Sequence, residues 1–243
     1  MEEEVDKIIS WIREYVLNSG AKGVVIGNSG GKDSATVIGL CVKALGKENV
    51  LAIAIPCETS EEDMKDVRLV EKTYNLRSLT VDITGTYKEL ERSINSKLEE
   101  PLIKDSKINI KPRLRMTTLY AIGQQYGYLV CGTGNLSEKF VGYTTKWGDS
   151  ASDFNPIANF TVEEVRNIGR IVGVPEKIIN KAPNDGLGSG TDEEKLGVTY
   201  KEIAEYIKTG KTEEKSQKII EELHRKTEHK RKPIPEYIPS NKE

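Results

Sequence analysis

The sequence is short of cysteine, has no long apolar run and carries no surplus of charge of one sign, and each shortage closes a class of function. Its three cysteines, Cys41, Cys57 and Cys131, form no CxxC pair, and an odd number cannot all pair within one chain, so buried thiols in a reducing compartment are expected. The longest strongly apolar stretch, Val50 to Ile55, falls far short of the roughly 18 residues that a membrane-spanning helix requires. The opening Met-Glu-Glu-Glu-Val-Asp places acids where a secretory signal places bases, which points to the cytoplasm. Lysine and arginine number 36 against 38 aspartates and glutamates, a net charge of −2. No global positive field is available to hold a phosphate backbone, so neither nucleic acid nor membrane is an expected partner.

What is present is 243 residues with no internal repeat and no low-complexity linker, enough to enclose a real core. One domain spanning 1–243 is expected, helical from about residue 155. Apolar spacing at Ile8, Ile9, Ile12, Val16 and Leu17 predicts a helix stopped by Gly20, and Gly23-Val-Val-Ile-Gly27 predicts a buried strand. A helix over about 33–45, a strand over 49–55, a helix from the Ser60 cap to about Tyr74 and a strand over 79–83 follow. Helices over much of 86–98 and 112–126 lead to a fourth strand, Tyr128 to Cys131. Strand and helix alternate, so the economical α/β architecture is an open, mostly parallel sheet flanked by helices, Rossmann-like, with ligands at the carboxyl ends of its strands. Beyond residue 155 shorter helices are expected after Thr161, around 175–181, around 199–207 and over 213–229, with 186–191 as a loop and a proline-bearing tail.

The most informative residues are Ser29-Gly-Gly-Lys-Asp-Ser34, between a buried strand and a helix. Glycines let backbone N–H groups converge on an anion, and the helix start adds its own unsatisfied N–H groups, so a phosphate belongs there. A Walker A loop would need Ser or Thr directly after the lysine, whereas Lys32 is followed by Asp33. A carboxylate inside a phosphate nest repels polyphosphate unless a divalent cation stands between them, so Asp33 argues for magnesium-bound ATP. A glycine-rich helix entry with Asp33 and Ser34 serving only as caps is the competing structural explanation.

This loop resembles the pyrophosphatase loop of the N-type ATP pyrophosphatases, enzymes of the adenine nucleotide alpha hydrolase-like fold that cleave ATP between the α and β phosphates. Within that superfamily, Gly132-Thr-Gly-Asn-Leu-Ser-Glu138, Gly142-Tyr-Thr-Thr-Lys-Trp-Gly-Asp149 and Asp153 resemble the NAD synthetase family in residue type and spacing. So do Asn109 to Met116, Asp192-Glu193 with Leu196 to Tyr200, and Glu228-His-Lys-Arg231. The resemblance implies adenylation of the nicotinate carboxylate of deamido-NAD, loss of pyrophosphate, and displacement of AMP by ammonia. It implies an ATP set of Gly27, Asn28, Ser29, Gly30, Gly31, Lys32, Asp33, Ser34, Thr133 and Asn184, with Mg²⁺ on Asp33 and Glu138. It implies a deamido-NAD set of Asn109, Arg113, Tyr143, Lys146, Asp153, His229 and Lys230, and a homodimer. Taken singly, Arg113 and Lys146 would read as surface charges, Glu138 as a helix-start acid, and His229-Lys230 as a basic tail.

Ammonium must lose a proton before it can attack, and Asp149 is the candidate to take it; a turn-forming Asp after Gly is the plainer alternative. Two departures from the family pattern stand out. Val162 occupies a place where many relatives have a basic residue, so one phosphate contact is missing or comes from elsewhere, with Lys32 a candidate. Asn184 stands where Thr is common, losing the hydroxyl. Glutamine-using relatives carry an amidase domain ahead of the synthetase, whereas this chain reaches its loop at residue 29, so free ammonia, or ammonia from a separate protein, is the expected donor. The alternatives are a non-catalytic ATP sensor, or an N-type pyrophosphatase that amidates or thiolates another substrate; the missing CxxC motifs and basic surplus weigh against RNA thiolation. A dehydrogenase is disfavoured because Ser137 stands where its third glycine belongs.

Overall fold

A computed structural model describes residues 1–181 and 191–239. In chain order the elements are α1 (Glu2–Asn18), β1 (Val24–Gly27), α2 (Lys32–Leu45), β2 (Val50–Ala54), α3 (Glu61–Tyr74), β3 (Arg77–Thr80), α4 (Thr84–Asn95), α5 (Lys104–Tyr126), β4 (Leu129–Cys131), α6 (Leu136–Val141), α7 (Val162–Val172), α8 (Glu176–Ile179), α9 (Asp192–Leu196), α10 (Tyr200–Thr209) and α11 (Glu214–Lys226). The four strands are parallel and ordered β3-β2-β1-β4. The α/β reading of the sequence therefore holds.

The strand order fixes where a ligand can sit. From β1 the chain winds outward through β2 to β3, then returns to place β4 on the other side of β1. The crevice at the carboxyl ends of β1 and β4 is the topological switch point, where such sheets bind ligands. Val24 and Ile26 face one way and Val25 the other, all fully buried, because helices cover both faces. One core lies under α1, α2, α7 and α8, and a second lies against α4 and α5. A third, built from Val141, Val162, Val198, Tyr200, Ile203 and Ile220, joins α6, α7, α10 and α11. Every described helix or strand after Phe154 is helical.

Boundaries shift in instructive ways. The third strand, expected over 79–83, runs Arg77–Thr80 because Arg77 is already in register with Leu51. The backbone then keeps following β2, since the amides of Val81 and Ile83 donate to the Ala54 and Pro56 carbonyls. The helix expected to begin at Pro112 begins at Lys104 and carries Pro112 inside it. Proline there forfeits one intrahelical bond, and contacts at Asn109 and Lys111 flank the weak point. A short helix, α9, occupies residues where none was expected, opened by a capping box between Thr191 and Glu194.

Candidate active site

The phosphate loop is built by its own short side chains. The Asn28 amide extends the β1 ladder to the Ile53 carbonyl at 2.8 Å, while its side-chain oxygen accepts the Gly30 amide at 3.1 Å. Ser29 Oγ accepts the Gly31 amide at 3.2 Å and lies 3.0 Å from Ser34 Oγ, which donates to the Gly31 carbonyl at 3.0 Å. Gly30 has φ +72°, and a Cβ there would lie 2.8 Å from the Val67 nitrogen, so glycine is required on both counts. Gly31 caps α2 without any side-chain hydrogen bond, leaving the first-turn amides for a ligand.

Beneath the loop lies Asp66, buried, accepting from Lys177 at 2.6 Å and Lys181 at 2.8 Å. Burial by itself would raise this carboxyl, but the two ammonium groups overcome it and hold it below the usual carboxylate range. Asp63 is likewise held low, chiefly by the 2.8 Å bond from Lys181. These pairs lock α3 to α8 and the residues after it, and so fix the floor on which Gly30 rests.

Asp33 and Glu138 come from the two sides of the switch point and meet through one buried residue, Asn135. Its side-chain nitrogen donates to Asp33 Oδ1 at 3.3 Å, and its backbone nitrogen donates to Glu138 Oε2 at 3.1 Å. Its side-chain oxygen accepts the Glu138 amide at 3.0 Å, completing a capping box at the start of α6. Desolvation, and then the neighbouring charge of Asp33, push the Glu138 carboxyl up to about 8. Two hard oxygen donors crowded this way suit a divalent cation that keeps water and phosphate oxygens as its other ligands. Among the described residues no group of three or more His, Cys, Asp or Glu forms a complete protein cage. On Asp33's other oxygen sits the ammonium of Lys32, at 3.0 Å and only 7 % exposed.

The turn after β4 is held from behind. Gly132 donates to the Phe154 carbonyl at 2.8 Å, and Asn155 donates to the Gly134 carbonyl at 2.8 Å, which sets Thr133 beside the loop that carries Asn135. Asp153 serves the same wall: its carboxylate accepts the Val130 amide at 2.7 Å and the Tyr120 hydroxyl at 3.2 Å.

A second group of expected residues assembles around the 142–150 loop. Asn109 Oδ1 accepts the Thr145 hydroxyl at 2.6 Å, and Arg113 donates to the Lys146 carbonyl at 3.3 Å. Lys146 donates to the His229 carbonyl at 2.9 Å, and Lys230 donates to the carbonyls of Gly142 and Thr144 at 2.7 and 2.6 Å. His229 and Lys230 are therefore docked rather than a free basic tail. Asp149 Oδ1 accepts the Thr145 amide at 2.8 Å, and the carboxylate is open to solvent at the rim. Surrounding protein mass nevertheless pushes its pKa up, opposed by hydrogen bonds from the loop and by the charge of Lys230. Its charge is felt by both Glu138 and Arg115. Trp147, 53 % exposed, holds φ +63°, a costly conformation for a bulky residue.

Three features escaped the sequence reading. Asn135 was legible as a helix cap ahead of Glu138, but its bond to Asp33 spans 102 positions. Arg115 is half-buried, donates to the Ile55 carbonyl at 3.0 Å and feels the charge of Asp149. Buried Asp192 accepts from the Tyr143 hydroxyl at 3.3 Å and the Tyr200 hydroxyl at 3.5 Å, and the Asp33 and Glu138 charges reach Tyr200. Val162 lies in the third core, 3 % exposed, where a charged side chain would have no solvent. Asn184 and residues 186–190 lie outside the described residues.

Residues 4–234 match the family described as NAD synthase. An NH(3)-dependent NAD(+) synthetase of Carboxydothermus hydrogenoformans is 42 % identical over 236 residues, covering 97 % of this chain and 96 % of that one. A solved NMN synthetase of Francisella tularensis superposes with a TM-score of 0.91 at 35 % identity, covering 98 % of each chain. The solved NH3-dependent NAD synthetase of Campylobacter jejuni, in complex with the nitrate ion, gives 0.79 at 29 % identity, again over 98 % of each.

Proposed function

The chain belongs to the NAD synthase family, and from that premise we propose that it amidates deamido-NAD to NAD with ATP and ammonia, releasing AMP and pyrophosphate. The observation that supports placing the chemistry on particular residues is Asn135, which touches both Asp33 and Glu138 at the switch point.

A carboxylate is a poor electrophile, because its charge repels nucleophiles and its leaving group would be oxide. In the proposed sequence the nicotinate carboxylate oxygen attacks the α-phosphorus of ATP, and the bond to pyrophosphate breaks. Ammonia then attacks the acyl carbon and AMP departs with the bonding pair. The 28–34 loop and the α2 N-terminus hold the phosphates, with Thr133 and Asn184 completing the ATP set. Asp33 and Glu138 would hold Mg²⁺, which when bound neutralises charge on the pyrophosphate leaving group. Arg113 and Lys146 offer cations to the anionic dinucleotide, with Asn109, Tyr143, Asp153, His229 and Lys230 lining its site. Asp149, an exposed residue whose Oδ1 accepts the Thr145 amide, takes the proton that ammonium must lose.

The single-domain organisation belongs to the same reading, as do a homodimer and a cytoplasmic setting. Among the described residues no helix is long and apolar enough to cross a membrane. A test is incubation with magnesium, ATP, ammonium and deamido-NAD, following AMP, pyrophosphate and NAD together. ATP binding without these products would favour the sensor. The fit to the NMN synthetase structure supports a second acceptor, nicotinate mononucleotide. Parallel kcat/KM measurements on the two acceptors decide between them.

A further inference from the structure

Lys32 stands where a metal ligand's counter-ion would be. Its ammonium is 3.0 Å from Asp33 Oδ2 and almost wholly buried, while Asn135 occupies Asp33 Oδ1 at 3.3 Å. Both oxygens of this carboxylate are thus engaged in the free protein. A divalent cation that takes Asp33 must displace or repel the lysine, and an ammonium stripped of its partner in a buried position is costly. Glu138 also feels the Lys32 charge, but the same metal would take that carboxylate too, which leaves a phosphate in the 28–34 loop as the next anion, because Lys32 is itself the first residue of α2 after the loop's Gly31 cap.

We propose that Lys32 is the coupling element between metal and nucleotide: it neutralises Asp33 in the free enzyme and hands its charge to the ATP phosphates when the metal arrives. This rests on the reading of Asp33 and Glu138 as metal ligands. The consequence is reciprocal by linkage. Metal alone binds poorly, since it strands the lysine; nucleotide alone binds better than the same loop without the lysine would allow. The two together satisfy every charge. A residue that merely stabilised the loop would, when removed, weaken both partners.

The test is a titration of the free protein with Mn²⁺ alone, followed by electron paramagnetic resonance, and separately with α,β-methylene-ATP alone, followed by calorimetry. In Lys32→Met the expected shifts are opposite: Mn²⁺ binds about five- to tenfold tighter than to wild type and the analogue about five- to tenfold weaker, the lower range of ordinary site-to-site coupling. Lys32→Gln keeps a hydrogen-bond donor on Asp33 without charge and should behave as Lys32→Met does, while Lys32→Arg should stay near wild type. Mn²⁺ affinity unchanged or weakened in folded Lys32→Met and Lys32→Gln overturns the proposal. A Glu138→Gln control separates the two layers. If it loses Mn²⁺ binding while the lysine variants do not shift, only the role of Lys32 falls. If it binds Mn²⁺ as wild type does, the metal assignment falls and the coupling falls with it.

Discussion

Lys230 holds the Gly142 carbonyl oxygen at 2.7 Å, joining the turn after α11 to the loop that carries Lys146 and Asp149. The same ammonium holds Thr144 at 2.6 Å, and Arg231 and His224 reach the Phe140 carbonyl, so α6 is closed by residues far along the sequence. Lys230→Met should lose two charge-assisted bonds and destabilise the protein by about 2–4 kcal/mol. It should also lower kcat/KM for the amide-forming reaction in the variant that remains folded. Urea denaturation and steady-state kinetics on the same preparation measure both.

Gly142 combines φ +68° with direct contact against Thr227, leaving no place for a Cβ. Gly142→Ala is expected to cost about 2–4 kcal/mol from backbone strain plus overpacking. The clash includes the Thr227 Cβ, so Gly142→Ala with Thr227→Gly should recover the packing part and leave the strain, which a double-mutant cycle in thermal denaturation would separate. Equal stabilities of the single and double variants would contradict the contact.

Asp66 and Asp63 make the floor of the phosphate loop acid-sensitive. Both carboxyls lie below their ordinary values in the folded state, so their contribution is complete above the unfolded pKa of about 3.9 and disappears as pH falls through the lower folded value. Asp66→Asn should be clearly less stable than wild type at pH 7, and the gap should narrow below about pH 4. Chemical denaturation at the two pH values checks the sign.

Asp149→Asn divides the reaction if Asp149 receives the ammonium proton. Pyrophosphate release should persist, and amide formation should fall by roughly 10²-fold or more, the ordinary worth of general base catalysis. Because crowding raises the Asp149 pKa, amidation in the wild type should decline on the acid side from a pH above the usual carboxylate range. The base form is lost as pH drops through that value. Comparing pyrophosphate with NAD in one time course reads the two halves separately.

The thiols should be silent. Cys41, Cys57 and Cys131 are all buried, and burial drives the Cys131 thiol up. A thiol reagent should modify them only on the unfolding timescale, in line with the sequence expectation of structural cysteines.

Local signals explain what could be read in advance. Val24 to Gly27 and Val50 to Ala54 are buried on both faces and so leave uninterrupted apolar runs, while Ser29 to Ser34 closes its turn with its own side chains. Element ends were harder, because Pro112 inside α5 obeys tertiary contacts rather than its own preference. The pairing of Asn135 with Asp33 and of Lys230 with Gly142 left no trace in spacing, since the partners lie 102 and 88 residues apart. Resemblance supplied Asp33 and Lys230 as site positions; the role of Asn135 and the proximity of each pair came only from the fold.

The left-handed backbone at Trp147 turns its indole outward beside Lys146, whereas the chain's other tryptophan, Trp11, leans on Tyr15 and Phe154. The protein thus carries a natural optical probe beside Lys146, one of the residues proposed to hold the acceptor. Emission from Trp147, isolated by replacing Trp11 with phenylalanine, would follow dinucleotide arrival in real time without any label.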